Sequence, residues 1–167
     1  TTLVLAAAIS LGAAHGAPTV QATLTLGNQA PVMCTDSVLG KAFVPNFADG
    51  SLSVIDVETL AVSATVPVGP SPRRCVCNEA THRLYLVNAT TPGAMTVIDT
   101  ETNSVIATIP VGNDPRTLGA NFVIDELFVG NCGGDTVSIG STATHAVLAT
   151  VAVGRARTHH APNTVLC

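Results

Sequence analysis

The sequence predicts an all-β fold assembled from repeated four-stranded antiparallel units, the blades of a β-propeller. Three observations predict it. Val/Leu-Gly endings fall at Gly27, Gly69, Gly112 and Gly154, spaced 42, 43 and 42, and Asn46, Asn88 and Asn131 each follow their glycine by 19 residues. Apolar residues alternate with period two before each of those glycines, which is the signal of a half-buried strand. After residue 20 no stretch carries a helical period. An antiparallel four-stranded unit of about 42 residues, repeated, is the sequence form of a propeller blade.

The chain opens on Thr1, and residues 3–14 are apolar and small. That run is too short for a bilayer, which takes about 20 apolar residues. It has the length of a signal-peptide core, and Ala14-His15-Gly16 puts small residues where a signal peptidase cuts. Residues 1–16 are therefore read as a signal peptide, with a secreted or periplasmic location. No other segment is long and apolar enough to span a membrane.

Residues 20–27 match only the outermost strand of a preceding blade. Complete blades follow at about 31–69, 72–112 and 115–154, and residues 157–167 match only the innermost strand of a following blade. The best-matched stretches are 53–69 and 96–112, which share Val-Ile-Asp, Glu-Thr and Pro-Val-Gly in register. In the second unit the strands read as about 73–77, 83–88, 94–99 and 104–111. The last strand of each unit places one apolar set on one face: Val20, Ala22, Leu24 and Leu26, then Val62, Ala64, Val66 and Val68, and likewise Val105, Ala107, Ile109 and Val111, and Val147, Ala149, Val151 and Val153. Pro67 and Pro110 stand on the opposite face of that strand. Proline gives no amide to a ladder, so both mark an edge strand and protect it from pairing with another sheet. The third unit has Gly140-Ser141 where Ile-Asp is expected, which weakens the reading of its third strand.

These units resemble YVTN-type β-propeller repeats. The namesake stretch stands here as Tyr85-Leu86-Val87-Asn88, Phe43-Val44-Pro45-Asn46 and Phe128-Val129-Gly130-Asn131. The Val-Ile-Asp-x-x-Thr element matches 54–59 and 97–102, and Ile-Pro-Val-Gly-x-x-Pro matches 109–115. The resemblance spans about 20–167 and implies a secreted or cell-envelope protein. Three blades and two end pieces fall at or below the four blades of the smallest closed rings. The sequence is therefore expected to be a piece of a longer chain, as its end at Leu166-Cys167 suggests. A small ring of four blades, or half-rings that pair, are the alternatives.

Composition narrows the function. Of the 167 residues 47% are hydrophobic and 11% are charged, with a net charge of −4. Disordered chains are richer in charge, and nucleic-acid-binding domains are basic. Five of the seven basic residues, Arg73, Arg74, Arg116, Arg155 and Arg157, lie in blade-to-blade connections. In propellers those connections and the turns between second and third strands share the channel face, a fold-level analogy. A partial rim formed by Arg73, Arg74, Arg116 and Arg157 there would bind carboxylates or phosphates.

The remaining polar residues read as structural. Asp-x-Glu-Thr at 56–59 and 99–102 caps a turn, with Ser141 and Thr144 replacing its Asp and Thr in the third unit. His82 and His145 fall in turns and are expected to be exposed. His159-His160 has no zinc spacing, and no haem, phosphate-loop, dinucleotide or nucleophile-elbow motif occurs, so no catalytic residue, metal or cofactor is assigned. Cys34 and Cys75 each follow a repeat proline by three residues, on the inner strands of adjacent blades, where they can face each other as a disulfide. Cys75 and Cys77 share one strand face, a poor geometry for bonding each other. The reading is a non-catalytic binding or scaffold module whose channel face meets an unknown ligand or protein. The alternatives are a fragment of a propeller oxidoreductase or electron-transfer protein with its cofactor elsewhere, and a self-assembling extracellular protein built from partial rings.

Overall fold

The computed structural model describes residues 22–30 and 32–154. The expected signal peptide (1–16), the end strand 157–167, Arg155, Arg157, His159 and His160 lie outside the described residues. Twelve strands form three separate four-stranded antiparallel sheets, each a meander in chain order. We call them blades. Blade 1 holds β1 (Cys34–Asp36), β2 (Lys41–Asn46), β3 (Ser51–Asp56) and β4 (Ala61–Pro67). Blade 2 holds β5 (Pro72–Asn78), β6 (Arg83–Asn88), β7 (Gly93–Asp99) and β8 (Ser104–Val111). Blade 3 holds β9 (Pro115–Asn121), β10 (Glu126–Asn131), β11 (Thr136–Ser141) and β12 (Ala146–Ala152). Among the described residues there is no helix and no closed ring. The Gly140-Ser141 departure does not interrupt β11, because Gly140 and Ser141 keep their pairing with both β10 and β12.

The turns explain why the strands stop where they do. Eight hairpin turns of four residues end on a left-handed residue: Gly40, Gly50, Leu60, His82, Asn103, Asp125, Asp135 and His145. Glycine, asparagine and aspartate tolerate that conformation best, and they fill five of the eight positions. In the β3–β4 type of turn, the Asp56 carboxylate accepts the amides of Glu58 and Thr59 and the Thr59 hydroxyl. Asp99 does the same for the Thr102 amide. Ser141 takes the place of Asp in blade 3 and accepts the amides of Ala143 and Thr144.

The blades stack face to face. Phe43, Leu52, Val54, Val66 and Val68 of blade 1 close on Leu84, Leu86 and Ile98 of blade 2. Tyr85, Met95, Val97 and Ile109 on the far face of blade 2 close on Leu127 and Val129 of blade 3. The inner strands β1, β5 and β9 adjoin one another, as do the outer strands β8 and β12. Residues 22–27 form no strand, which corrects the expected end strand; the described residues offer them no third strand to pair with. Their alternation still shows in packing, because Leu24 and Leu26 cover Ala42, Val44 and Ile55 of blade 1. At the other end the corresponding face of blade 3 is open: Phe128 is 37% exposed, Val151 48% and Val153 45%, whereas Phe43, Val66 and Val68 at the same repeat positions are buried.

The single apolar face expected for each outer strand needs a correction. Every outer strand carries a one-residue bulge at the same place, leaving Ser63, Ile106 and Leu148 without a partner. An extra residue inverts the alternation on one side of it. Val62, Val105 and Val147 therefore face away from the inward set and towards the preceding unit, and Val62 and Val105 are each 41% exposed.

Candidate functional site

The two kinds of loop expected on the channel face do share one end of the blades. The Phe47 and Ala48 amides of the β2–β3 turn donate to the Gln29 and Asn28 carbonyls. The Ala89 amide of the β6–β7 turn donates to Ser71 O, and the Cys132 and Gly133 amides of the β10–β11 turn donate to the Asp114 and Asn113 carbonyls. Each connection is thus bonded to the second turn of the blade it enters.

The repeated glycine and asparagine hold this end together. Asn88 is buried, and its Nδ2 donates to the Val68 and Pro70 carbonyls, both at 3.0 Å, while its Oδ1 accepts from Thr96 Oγ1 at 2.8 Å. The side chains of Asn46 and Asn131 lie so close over Gly27 and Gly112 that a Cβ there would meet Asn46 Cγ at 2.4 Å and Asn131 Cγ at 2.5 Å. The spacing of 19 residues seen in the sequence is this contact.

Arg73 and Arg74 begin β5 at that end, beside an irregularity in the β5–β6 register. The Arg73 guanidinium carbon stands 5.9 Å from the centre of the Phe47 ring in the β2–β3 turn. This cation–π geometry fixes the guanidinium across the blade boundary and leaves its edge nitrogens able to donate. Arg74 is exposed and makes no ion pair among the described residues. Arg116 is placed differently. Its Nε and Nη2 both reach Asp114 Oδ2, at 2.9 and 2.8 Å, so its charge is already matched locally. Of the expected rim, the described residues therefore present Arg73 stacked on Phe47, Arg74 exposed as its chain neighbour, and Arg116 as an engaged group.

A groove of about 320 Å³ lies beside the 68–70 connection, between blades 1 and 2. Of its polar lining, Asn88, Thr90 and Thr96 are already hydrogen-bonded, and Thr108 adds only a hydroxyl, so the groove brings no charge to a ligand.

The opposite end of the blades carries a buried network that the sequence reading missed. Asp36 is fully buried, and its Oδ2 meets His82 Nδ1 at 3.0 Å and Thr100 Oγ1 at 2.9 Å, while the Leu39 amide donates to Oδ1 at 3.1 Å. Burial pushes the Asp36 carboxyl up. The hydrogen bonds from His82, Leu39 and Thr100 and the His82 charge outweigh it, and the group sits below its ordinary value. Lys41 Nζ adds donations to the Thr100 and Glu101 carbonyls at 2.6 and 3.1 Å. His82 and His145 are half-buried rather than exposed, a correction to the expectation. His82 is held by Asp36, and the His145 ring packs edge-on to Tyr85 at 6.2 Å. The network clamps blade 1 to blade 2 and touches none of the arginine pair.

Cys34 and Cys75 face each other across the interface between blades 1 and 2, as free thiols within hydrogen-bond contact. Cys132 stands in the β10–β11 turn and is disulfide-bonded. Among the described residues no group of three or more His, Cys, Asp or Glu side chains is placed to hold a metal ion, and no helix is long and apolar enough to cross a membrane.

No family model and no curated protein matches the sequence. Among solved structures the chain is similar to hydrazine synthase of Kuenenia stuttgartiensis, with a TM-score of 0.67 and 19% identity, over 82% of this chain and 41% of that one. The chain thus spans less than half the length of that neighbour. At this identity the likeness concerns the fold, which it supports as propeller-like.

Proposed function

We propose that this protein is a non-catalytic propeller module that binds an acidic group of a partner or ligand at the end where Arg73 and Arg74 stand. The observation that carries the reading is the arginine pair itself. Arg73 is pre-oriented on Phe47 of the neighbouring blade, and Arg74 is exposed beside it with its charge unmatched. A guanidinium held at a blade boundary, with an exposed second one on the next residue, suits a carboxylate or phosphate, which each can grip with two parallel hydrogen bonds. The YVTN-type elements quoted above and the apolar run at 3–14 support placing the protein among secreted or periplasmic repeat proteins. The open face of blade 3, repeat-equivalent to faces that a following blade covers, supports a ring that another blade continues. What hydrazine synthase catalyses belongs to that protein, and no feature described here assigns a reaction to this one.

The test is calorimetric titration with a tri-carboxylate and with an acidic peptide at low salt. Binding should weaken about tenfold in Arg74→Ala, and further in Arg73→Ala/Arg74→Ala, each loss corresponding to roughly 1.4 kcal/mol per charge-assisted contact. Binding that is equal in wild type and double variant, or absent for both probes, contradicts the assignment.

A further inference from the structure

We propose that Cys34 and Cys75 are a modification site, oxidised to a disulfide that clasps blades 1 and 2 directly next to the arginine pair. The proposal stands without the binding reading. Cys34 lies on β1 and pairs with Phe43, and Cys75 lies on β5 and pairs with Leu86. Phe43, Leu86 and Cys75 belong to one buried cluster, and Cys34 packs against it. The two thiols therefore approach from facing sheets with nothing between them. Cys77 shares the Cys75 face but stands two residues along the same strand, about 6.6 Å of rise away. That is at the limit of disulfide reach, with the two side chains parallel rather than converging.

The surroundings decide when the bond forms. The hydrogen bond with Cys75, then burial, then the neighbouring sulfurs push the Cys34 thiol far up. Cys77 is pushed up to about 12 by burial and by Asp36, Glu79 and Cys75. Only a thiolate attacks a disulfide. In the folded protein the Cys34 thiol seldom ionises, so the bond forms while the chain folds; once formed, its place against the buried cluster shields it from reductants. The oxidant is a small disulfide such as glutathione disulfide. The Cys34 thiolate attacks one of its sulfurs and releases one glutathione thiolate. The Cys75 thiolate then displaces the second glutathione from the mixed disulfide. The two cysteine protons pass to the two departing glutathione thiolates, which leave as thiols carrying the two electrons.

Cys75 directly follows Arg74, and Arg73 rests on Phe47 of blade 1. A bond from Cys75 to Cys34 therefore pins the strand that presents both arginines to the blade carrying the stacking partner of Arg73.

The experiment refolds the whole chain from urea in a mixture of reduced and oxidised glutathione, and in parallel in a reductant. Remaining thiols are then blocked with iodoacetamide under denaturing conditions and the peptides mapped. The expected result is a peptide pair linking Cys34 to Cys75, two hydrogens lighter than the separate peptides, with Cys77 carrying the alkyl group. The thermal midpoint of the oxidised form should lie roughly 10 °C above the reduced form, and Cys77→Ser should leave that difference in place. Alkylation of both Cys34 and Cys75 in chains folded with glutathione disulfide overturns the proposal, as does a bond that maps to Cys77.

Discussion

Replacing Asp36 by alanine tests how the blades are held together. The carboxylate is fully buried and accepts three hydrogen bonds, two of them from turns of blade 2. Removing it strands the Thr100 hydroxyl and the Leu39 amide and takes the partner from His82. Deleting one member of a buried charged pair costs about 3–5 kcal/mol. The His82 side chain keeps 23% of its surface in water and can be partly resolvated, so the lower end applies, about 3 kcal/mol. Urea unfolding should show that loss as a lower midpoint at unchanged slope. The thermal midpoint should fall by about 6–12 °C for a chain of this size. Asp36→Asn keeps an acceptor oxygen and loses only the charge, so about 1–2 kcal/mol is expected. The pH dependence has a definite sign. Asp36 is held below its ordinary 3.8 in the folded state, so its contribution is complete above that value and is lost as the pH falls through the folded value. The acid limb of the wild-type stability curve should be steeper than that of Asp36→Asn below about pH 4. A loss under 1 kcal/mol in Asp36→Ala, or parallel acid limbs, would refute the clamp.

Gly112→Ala places a Cβ within 2.5 Å of Asn131 Cγ; a thermal melt should show a loss of about 2–3 kcal/mol from overpacking, and Gly154→Ala, whose Cβ meets nothing among the described residues, should show almost none. Leu60 holds a left-handed φ of 53°, so Leu60→Gly should stabilise by about 1 kcal/mol in urea unfolding. The open face of blade 3 should drive weak pairing between copies of the chain. Phe128→Lys with Val151→Lys should abolish the concentration dependence of mass seen in light scattering, and an unchanged dependence would locate the pairing elsewhere.

The sequence made the strands legible because period-two alternation and the repeat act together. The four strands read for the second unit lie within a residue of β5–β8 at each end. The bulges were hidden because Ser63, Ile106 and Leu148 sit among residues that are apolar or small on both sides, so the alternation looks unbroken through them. Asp36 does not stand out in the sequence because Asn78 and Asn121 occupy the same repeat position and cap the same kind of turn. Its charge was the available signal, since a carboxylate in place of two asparagines asks for a partner, and His82 stands 46 residues on. Arg116 looked equivalent to Arg73 by position. The difference between them was already visible two residues upstream, where Asp114 supplies the acceptor and the corresponding Ser71 has no charge. Stacking of Arg73 on Phe47 joins two blades and has no local trace in the chain.

Whether ligands meet the arginine end of the blades is decided by where the backbone amides respond. An amide chemical-shift map of the whole chain titrated with an acidic peptide tests it most directly. Shifts are expected at residues 46–50, 71–75 and 88–93, and they should disappear in Arg73→Ala/Arg74→Ala. Shifts concentrated instead around Asp36, His82 and Thr100, and retained in the double variant, would contradict it.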